Sequence, residues 1–141
     1  MSLGSRYLNQ FQYTLEKDTV TIYGSFEVDG YGDVTHYQGG GISSVASTGT
    51  GAYDITLQDG WDYLFGFFGQ PVKTTASSIA TVQLANDPTD LQTDVKNKVP
   101  LSILTLNYAG AAADPSTTES IRFEIKLRRS SVAPFDAGTT V

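Results

Sequence analysis

The chain has 141 residues, no cysteine, and a net charge of −6 from 15 acidic and 9 basic side chains. Disulfides, thiolate zinc sites and cysteine nucleophiles are excluded at once, and the acidic balance argues against binding a phosphate backbone, which needs a Lys/Arg surface. The length suits one domain that buries roughly two-thirds of its unfolded surface without a covalent staple.

Residues 1–17 carry Tyr7, Leu8, Phe11, Tyr13 and Leu15. Phe11, Tyr13 and Leu15 alternate, which suits an edge strand; an extended arm suits the opening equally. An arm this aromatic docks on its own domain or on a neighbour. Met1, Ser2, Leu3 and Gly4 lack the basic start and apolar core of a signal peptide. Ser2 stands where N-myristoylation needs glycine. Synthesis without export is expected.

Residues 19–28 set Val20, Ile22, Phe26 and Val28 against Thr19, Thr21, Tyr23, Ser25 and Glu27. A period of two marks a strand with one buried and one wet face. Asp29-Gly30 opens a turn. A short strand is predicted over 34–37, and Gly39, Gly40 and Gly41 break it. Residues 42–48 follow as a strand of small residues with Ile42 and Val45 inside. After a turn at 48–51, Tyr53, Ile55 and Leu57 alternate with Asp54, Thr56 and Gln58.

Residues 61–68 are dense in aromatics, with Trp61, Tyr63, Phe65 and Phe67 on one parity and Phe68 on the other. The glycines there suggest close packing or a bulge, and Pro71 is expected to end the segment. The run is interrupted by Gly66 and is too short to span a bilayer. A strand over 77–85 is predicted with Ala80, Val82 and Leu84 on one face. Residues 87–98 suit a short helix, since Leu91 and Val95 are four apart, or an irregular loop. Residues 100–109 are apolar on both parities, as in a strand covered on both faces. A small-residue loop over 110–118 leads to the last strand, 119–129. There Ile121, Phe123, Ile125 and Leu127 oppose Arg122, Glu124, Lys126 and Arg128.

The fold class is therefore all-β: an antiparallel β-sandwich, jelly-roll or Ig-like, of about seven to nine short strands. Residues 1–17 form an arm or edge strand, 18–133 the sandwich domain, and 134–141 a tail with few anchors.

No residue set announces chemistry. His36 is the only histidine, and no G-x-S-x-G elbow accompanies it. Asp29 and Asp33 lack the further oxygen ligands of a calcium loop. The glycine clusters are followed by no G-K-[ST] and no G-x-G-x-x-G. Asp54, Asp59 and Asp62 sit on a wet strand face or in turns, a poor setting for a glycosidase pair. Neither an enzyme, a cofactor nor a metal is expected. Five large aromatics within 61–68 exceed what one small core absorbs, so some of them meet another chain or a sugar ring.

Three stretches in order carry a resemblance: F-E-V-D-G at 26–30, T-G-T-G-A-Y-D-I-T-L-Q-D at 48–59, and I-R-F-E-I-K-L-R-R-S-S-V-A at 121–133. Together they resemble small structural proteins of tailed bacteriophages, the all-β decoration or cement proteins of the capsid. The likeness implies a mechanical role without catalytic residues: binding the major capsid protein on the outer surface of the head. The protein would self-associate as a dimer or trimer and be made in the bacterial cytoplasm. Neither nucleic acid nor a membrane is expected as a partner. The interface candidates are Tyr7, Leu8, Phe11, Tyr13, Trp61, Tyr63, Phe65, Phe67, Phe68, Arg122, Lys126 and Arg128. The alternative is a head-fibre or tail-associated module that binds glycan or another virion protein.

Overall fold

The computed structural model of the chain describes residues 19–128. The arm expected at 1–17 and the tail expected at 134–141 lie outside the described residues. Eight strands form: β1 (Thr19–Val28), β2 (Val34–Gln38), β3 (Ile42–Gly49), β4 (Ala52–Leu57), β5 (Tyr63–Val72), β6 (Ile79–Leu84), β7 (Leu101–Asn107) and β8 (Ser120–Arg128). One short helix, α1 (Leu91–Lys96), sits between β6 and β7. The alternation that defines β1 and β8 in sequence is largely the alternation of their burial, but Val20, expected on the inner face, is exposed, and Ser25 and Arg128, expected on the wet face, are buried.

All eight strands join one antiparallel sheet in the order β2-β1-β8-β5-β6-β7-β4-β3. Strands β5, β6 and β7 are consecutive neighbours, and β8 returns to lie beside β5, a Greek-key step. The two edge strands, β2 and β3, are consecutive in sequence, so the sheet curls back on itself and is nearly a barrel. At the seam the Tyr37 hydroxyl donates to the Ser43 carbonyl (3.0 Å). The weakest ladder is β5–β6, held at the single register pair Gly69–Val82.

The inner faces share one core that includes Ile22, Phe26, Tyr53, Ile55, Leu101, Ile103, Ile121, Ile125 and Leu127. A chain of rings crosses it. Tyr53 meets Phe26 (4.8 Å between centroids), Phe26 meets Phe123 (6.4 Å), and Phe123 stacks on Phe67 (5.8 Å). Gly24 makes room for them: a Cβ there would lie 2.5 Å from both Phe123 and Ile42.

Turns follow their residue chemistry. The Asp29 carboxylate accepts the Tyr31 and Asp33 amides (2.8 and 3.0 Å), so Asp29 and Asp33 build the β1–β2 turn. The loop after β7 is pinned to the β3–β4 turn. Asp114 Oδ1 accepts the Gly51 amide (2.7 Å) and the buried Tyr53 hydroxyl (2.9 Å), and the Thr105 hydroxyl donates to the Ala113 carbonyl (2.6 Å). Gly51 has φ +66, and a Cβ on it would lie 2.6 Å from the Ala113 nitrogen, so the site requires glycine. The buried Glu119 carboxylate closes the same loop by accepting the Ser77 hydroxyl and the Ser116 amide (both 2.5 Å).

Several expectations shift. Pro71 lies inside β5 rather than ending it. That half of β5 has one ladder pair with β6 and is edge-like, which is where a strand tolerates proline. In β6 the register shifts between Ile79 and Thr81, which turns Ile79 and Val82 inward and leaves Ala80 exposed. In β7, Leu101, Ile103 and Thr105 face the core, whereas Leu104 and Leu106 on the outer face are half-buried. Residues 91–96 are helical, with Val95 buried and Leu91 packed against the core.

Asp114→Ala removes the acceptor of a buried hydroxyl and of the Gly51 amide. It is expected to lower the unfolding free energy by about 1–3 kcal/mol, read from urea midpoints. Burial first, then the hydrogen bond and charge of Asp114, raise the Tyr53 pKa above its ordinary value. The unfolded chain releases that proton near pH 10 while the fold retains it, so the contribution is whole below that pH and is lost as pH rises further. Tyr53→Phe is expected to flatten the alkaline fall in stability; an unchanged slope would contradict the assignment.

Candidate functional site

Register gathers the two described ends of the chain. Thr19 pairs with Arg128, and Arg128 pairs with Tyr63 on its other side. The described residues therefore begin and end on one rim of the sheet, beside the start of β5. The aromatic stretch lies on this rim. Trp61 is half-buried against the core, and its amide donates to the Val95 carbonyl (3.1 Å). The Tyr63 and Phe65 rings lie 5.1 Å apart, and Phe65 is exposed.

A bulge divides the aromatics. The β5–β8 register shifts between Leu64 and Gly66. Leu64 and Phe67, three apart, both turn inward, and Phe65 is looped out. Helix α1 holds the bulge: Gln92 Oε1 accepts the Leu64 amide (2.8 Å), and its Nε2 donates to the Leu64 carbonyl (3.4 Å). The expected single parity for Trp61, Tyr63, Phe65 and Phe67 is thus broken by one residue. Phe67 belongs to the core and Phe68 to the outer face.

That outer face is the second candidate surface. Tyr23, Glu124 and Phe68 occupy one rung across β1, β8 and β5. Ser25, Arg122 and Gln70 occupy the next, extended by Gln38 of β2. Tyr23 is 66% exposed and Phe68 59%, unusual for large rings on a strand. A groove of about 420 Å³ runs beside Tyr23, Ser25, Gln38 and Arg122. A second hollow of about 180 Å³ lies among Tyr23, Phe68, Gln70, Arg122 and Glu124. The two share Tyr23, Arg122 and Phe123, so they form one continuous depression.

The other singled-out residues are dispersed. Arg122 and Lys126 lie exposed on the outer face, in keeping with their parity, but Arg128 is 4% exposed despite sharing it. Tyr7, Leu8, Phe11 and Tyr13 lie outside the described residues. His36 is exposed on β2 opposite Glu27. Asp54 accepts the Ser102 hydroxyl (2.9 Å) on the face of β4, while Asp59 and Asp62 lie in the β4–β5 connection. Among the described residues no group of three or more His, Asp or Glu is placed to hold a cation, and no helix is long and apolar enough to cross a membrane. Sequence reasoning missed Ser25, Gln38, Gln70 and Glu124 of this depression, and above all Tyr23. Its only signal was a large ring on the wet parity of β1.

No protein-family model matches the chain, and neither a curated protein nor a solved structure shows significant similarity to it.

The bulge makes neighbouring phenylalanines unequal. Phe67→Ala removes a ring stacked in the core and is expected to cost about 3 kcal/mol in urea unfolding. Phe68→Ala is expected to stay within about 0.5 kcal/mol of the parent. Equal losses would place both rings in the core and remove Phe68 from the outer face.

Proposed function

We propose that the protein is a bacteriophage virion component, a decoration or cement protein that binds the major capsid protein on the outer surface of the head and stabilises it. On this reading it acts as a dimer or trimer, is made in the host cytoplasm, and performs no catalysis. The observation that carries the reading is the rim. The described residues begin at Thr19 and end at Arg128 on the rim where Trp61, Tyr63 and Phe65 collect, and the sequence before Thr19 is rich in aromatics. One contact zone can therefore combine ring contacts with those of the aromatic-rich sequence 1–17, and partly exposed aromatics are efficient sources of interface energy. The stretches that carry the phage resemblance support it as well: those described fall on the end of β1 and its turn, on the β3–β4 hairpin and the residues after it, and, for 121–128, on β8.

The sandwich description belongs to the same reading. The single β5–β6 pair supports treating β2-β1-β8-β5 and β6-β7-β4-β3 as two leaves, jelly-roll or Ig-like, that pack face to face. A second placement in the virion, as a head-fibre or tail-associated module, is favoured by the groove on the outer face, which lies away from the rim.

Light scattering of the full chain, with its copy number per purified particle, tests the main reading. A dimer or trimer in hundreds of copies is expected; a monomer in a handful of copies contradicts it. Removing residues 1–15 is expected to lower capsid occupancy while the urea midpoint of the domain moves little. Saturation of the particle at unchanged affinity would eliminate the arm.

A further inference from the structure

We propose that the outer-face depression of β1, β8 and β5 is a binding site for a neutral saccharide. The inference uses neither the rim nor the terminal segments, so it stands or falls separately from capsid attachment.

Geometry comes first. Tyr23 and Phe68 stand on strands β1 and β5, on either side of β8, in one rung. Two strand spacings set their stems about 10 Å apart. Both rings are mostly in water, although large apolar rings on a sheet face normally find cover. Between and beside them lie Glu124, Arg122, Gln70 and Gln38. No hydrogen bond or ion pair among the described residues engages any of these four side chains. Their strands are paired across the ladder, so the stems are fixed and the polar heads are uncommitted.

Chemistry then selects the ligand. One guanidinium and one carboxylate, two residues apart on β8, make the depression electrically balanced. A phosphate or sulfate group drawn to Arg122 meets Glu124 in the same hollow, and a nucleic-acid strand meets it repeatedly. A sugar ring presents hydroxyls that both donate and accept. A carboxylate, a guanidinium and two carboxamides match these with paired acceptors and donors. The C–H faces of a pyranose lie flat against aromatic rings, which supply broad contact at small entropic cost. The larger hollow, about 420 Å³, falls within the roughly 300–1,000 Å³ of small-ligand sites.

The test uses the full chain on a printed array of neutral and anionic oligosaccharides, followed by calorimetric titration with the strongest neutral ligand. Binding of a neutral oligosaccharide is expected. The Tyr23→Ala/Phe68→Ala double variant should raise its Kd by about tenfold or more, and Glu124→Gln should weaken it with both rings in place. Both rings are exposed, so the double variant should keep the parent circular dichroism and urea midpoint. The proposal is overturned by an array without binding, by binding confined to sulfated or phosphorylated glycans, or by an unchanged Kd in the double variant. A double variant that loses capsid attachment, from a parent that binds no saccharide, would assign this face to the capsid instead.

Discussion

The contact on which the architecture depends is that between Phe26 and Tyr53. Their rings lie 4.8 Å apart, yet β1 and β4 stand second and seventh in the order of the sheet. Neither strand hydrogen-bonds the other, so the sheet must curl until its inner faces meet. Gly24 lets Phe123 and Ile42 approach at the same point. Tyr53 brings a hydroxyl with it into the core, and a buried hydroxyl is costly without an acceptor. Asp114 supplies one, and the same carboxylate holds Gly51. Curling, core filling and the course of the loop after β7 are thus a single solution to burying two rings.

Closing the sheet this way also decides what is exposed. Strands β1 and β8 are neighbours, so Thr19 and Arg128 share a rim, while residues remote in sequence meet in rungs. Tyr23, Phe68 and Glu124 are brought together by ladder register alone. Register is firm here because every inner position of β8 from Ile121 to Leu127 is buried. A slip of one residue would turn Arg122, Glu124 and Lys126 into the core.

The strands with the strongest alternation were legible in the sequence, β1 at both ends and β8 to within one residue at each, because one face is largely apolar. Turns were legible where aspartate and glycine dictate them, as at Asp29. The glycines around 61–68 suggest close packing or a bulge, but the positions of single-residue insertions escaped. The bulge before Gly66 and the shift after Ile79 each change which side chains face inward, and composition does not reveal them because apolar residues stand on both parities. Arg128 escaped for another reason: alternation identifies a face but not what covers it. The outer-face depression needed three strands in register, information that no local window contains.

The charge of the depression differs in kind from that of the whole chain. A net charge of −6 acts over a Debye length of about 8 Å at physiological salt and mainly sets which partners are repelled. Arg122 and Glu124 lie about 7 Å apart along one strand, within that length, and largely cancel. Recognition there rests on shape, stacking and paired hydrogen bonds, which salt scarcely screens. The sheet adds to this: Arg122 and Glu124 are held by ladders on both sides, and Tyr23 and Phe68 by β8, so their stems lose little freedom when a ligand arrives and weak individual contacts can sum to useful affinity. A curled antiparallel sheet with uncommitted polar heads between two exposed rings is for that reason a preorganised surface, and its specificity comes from the spacing of the rungs.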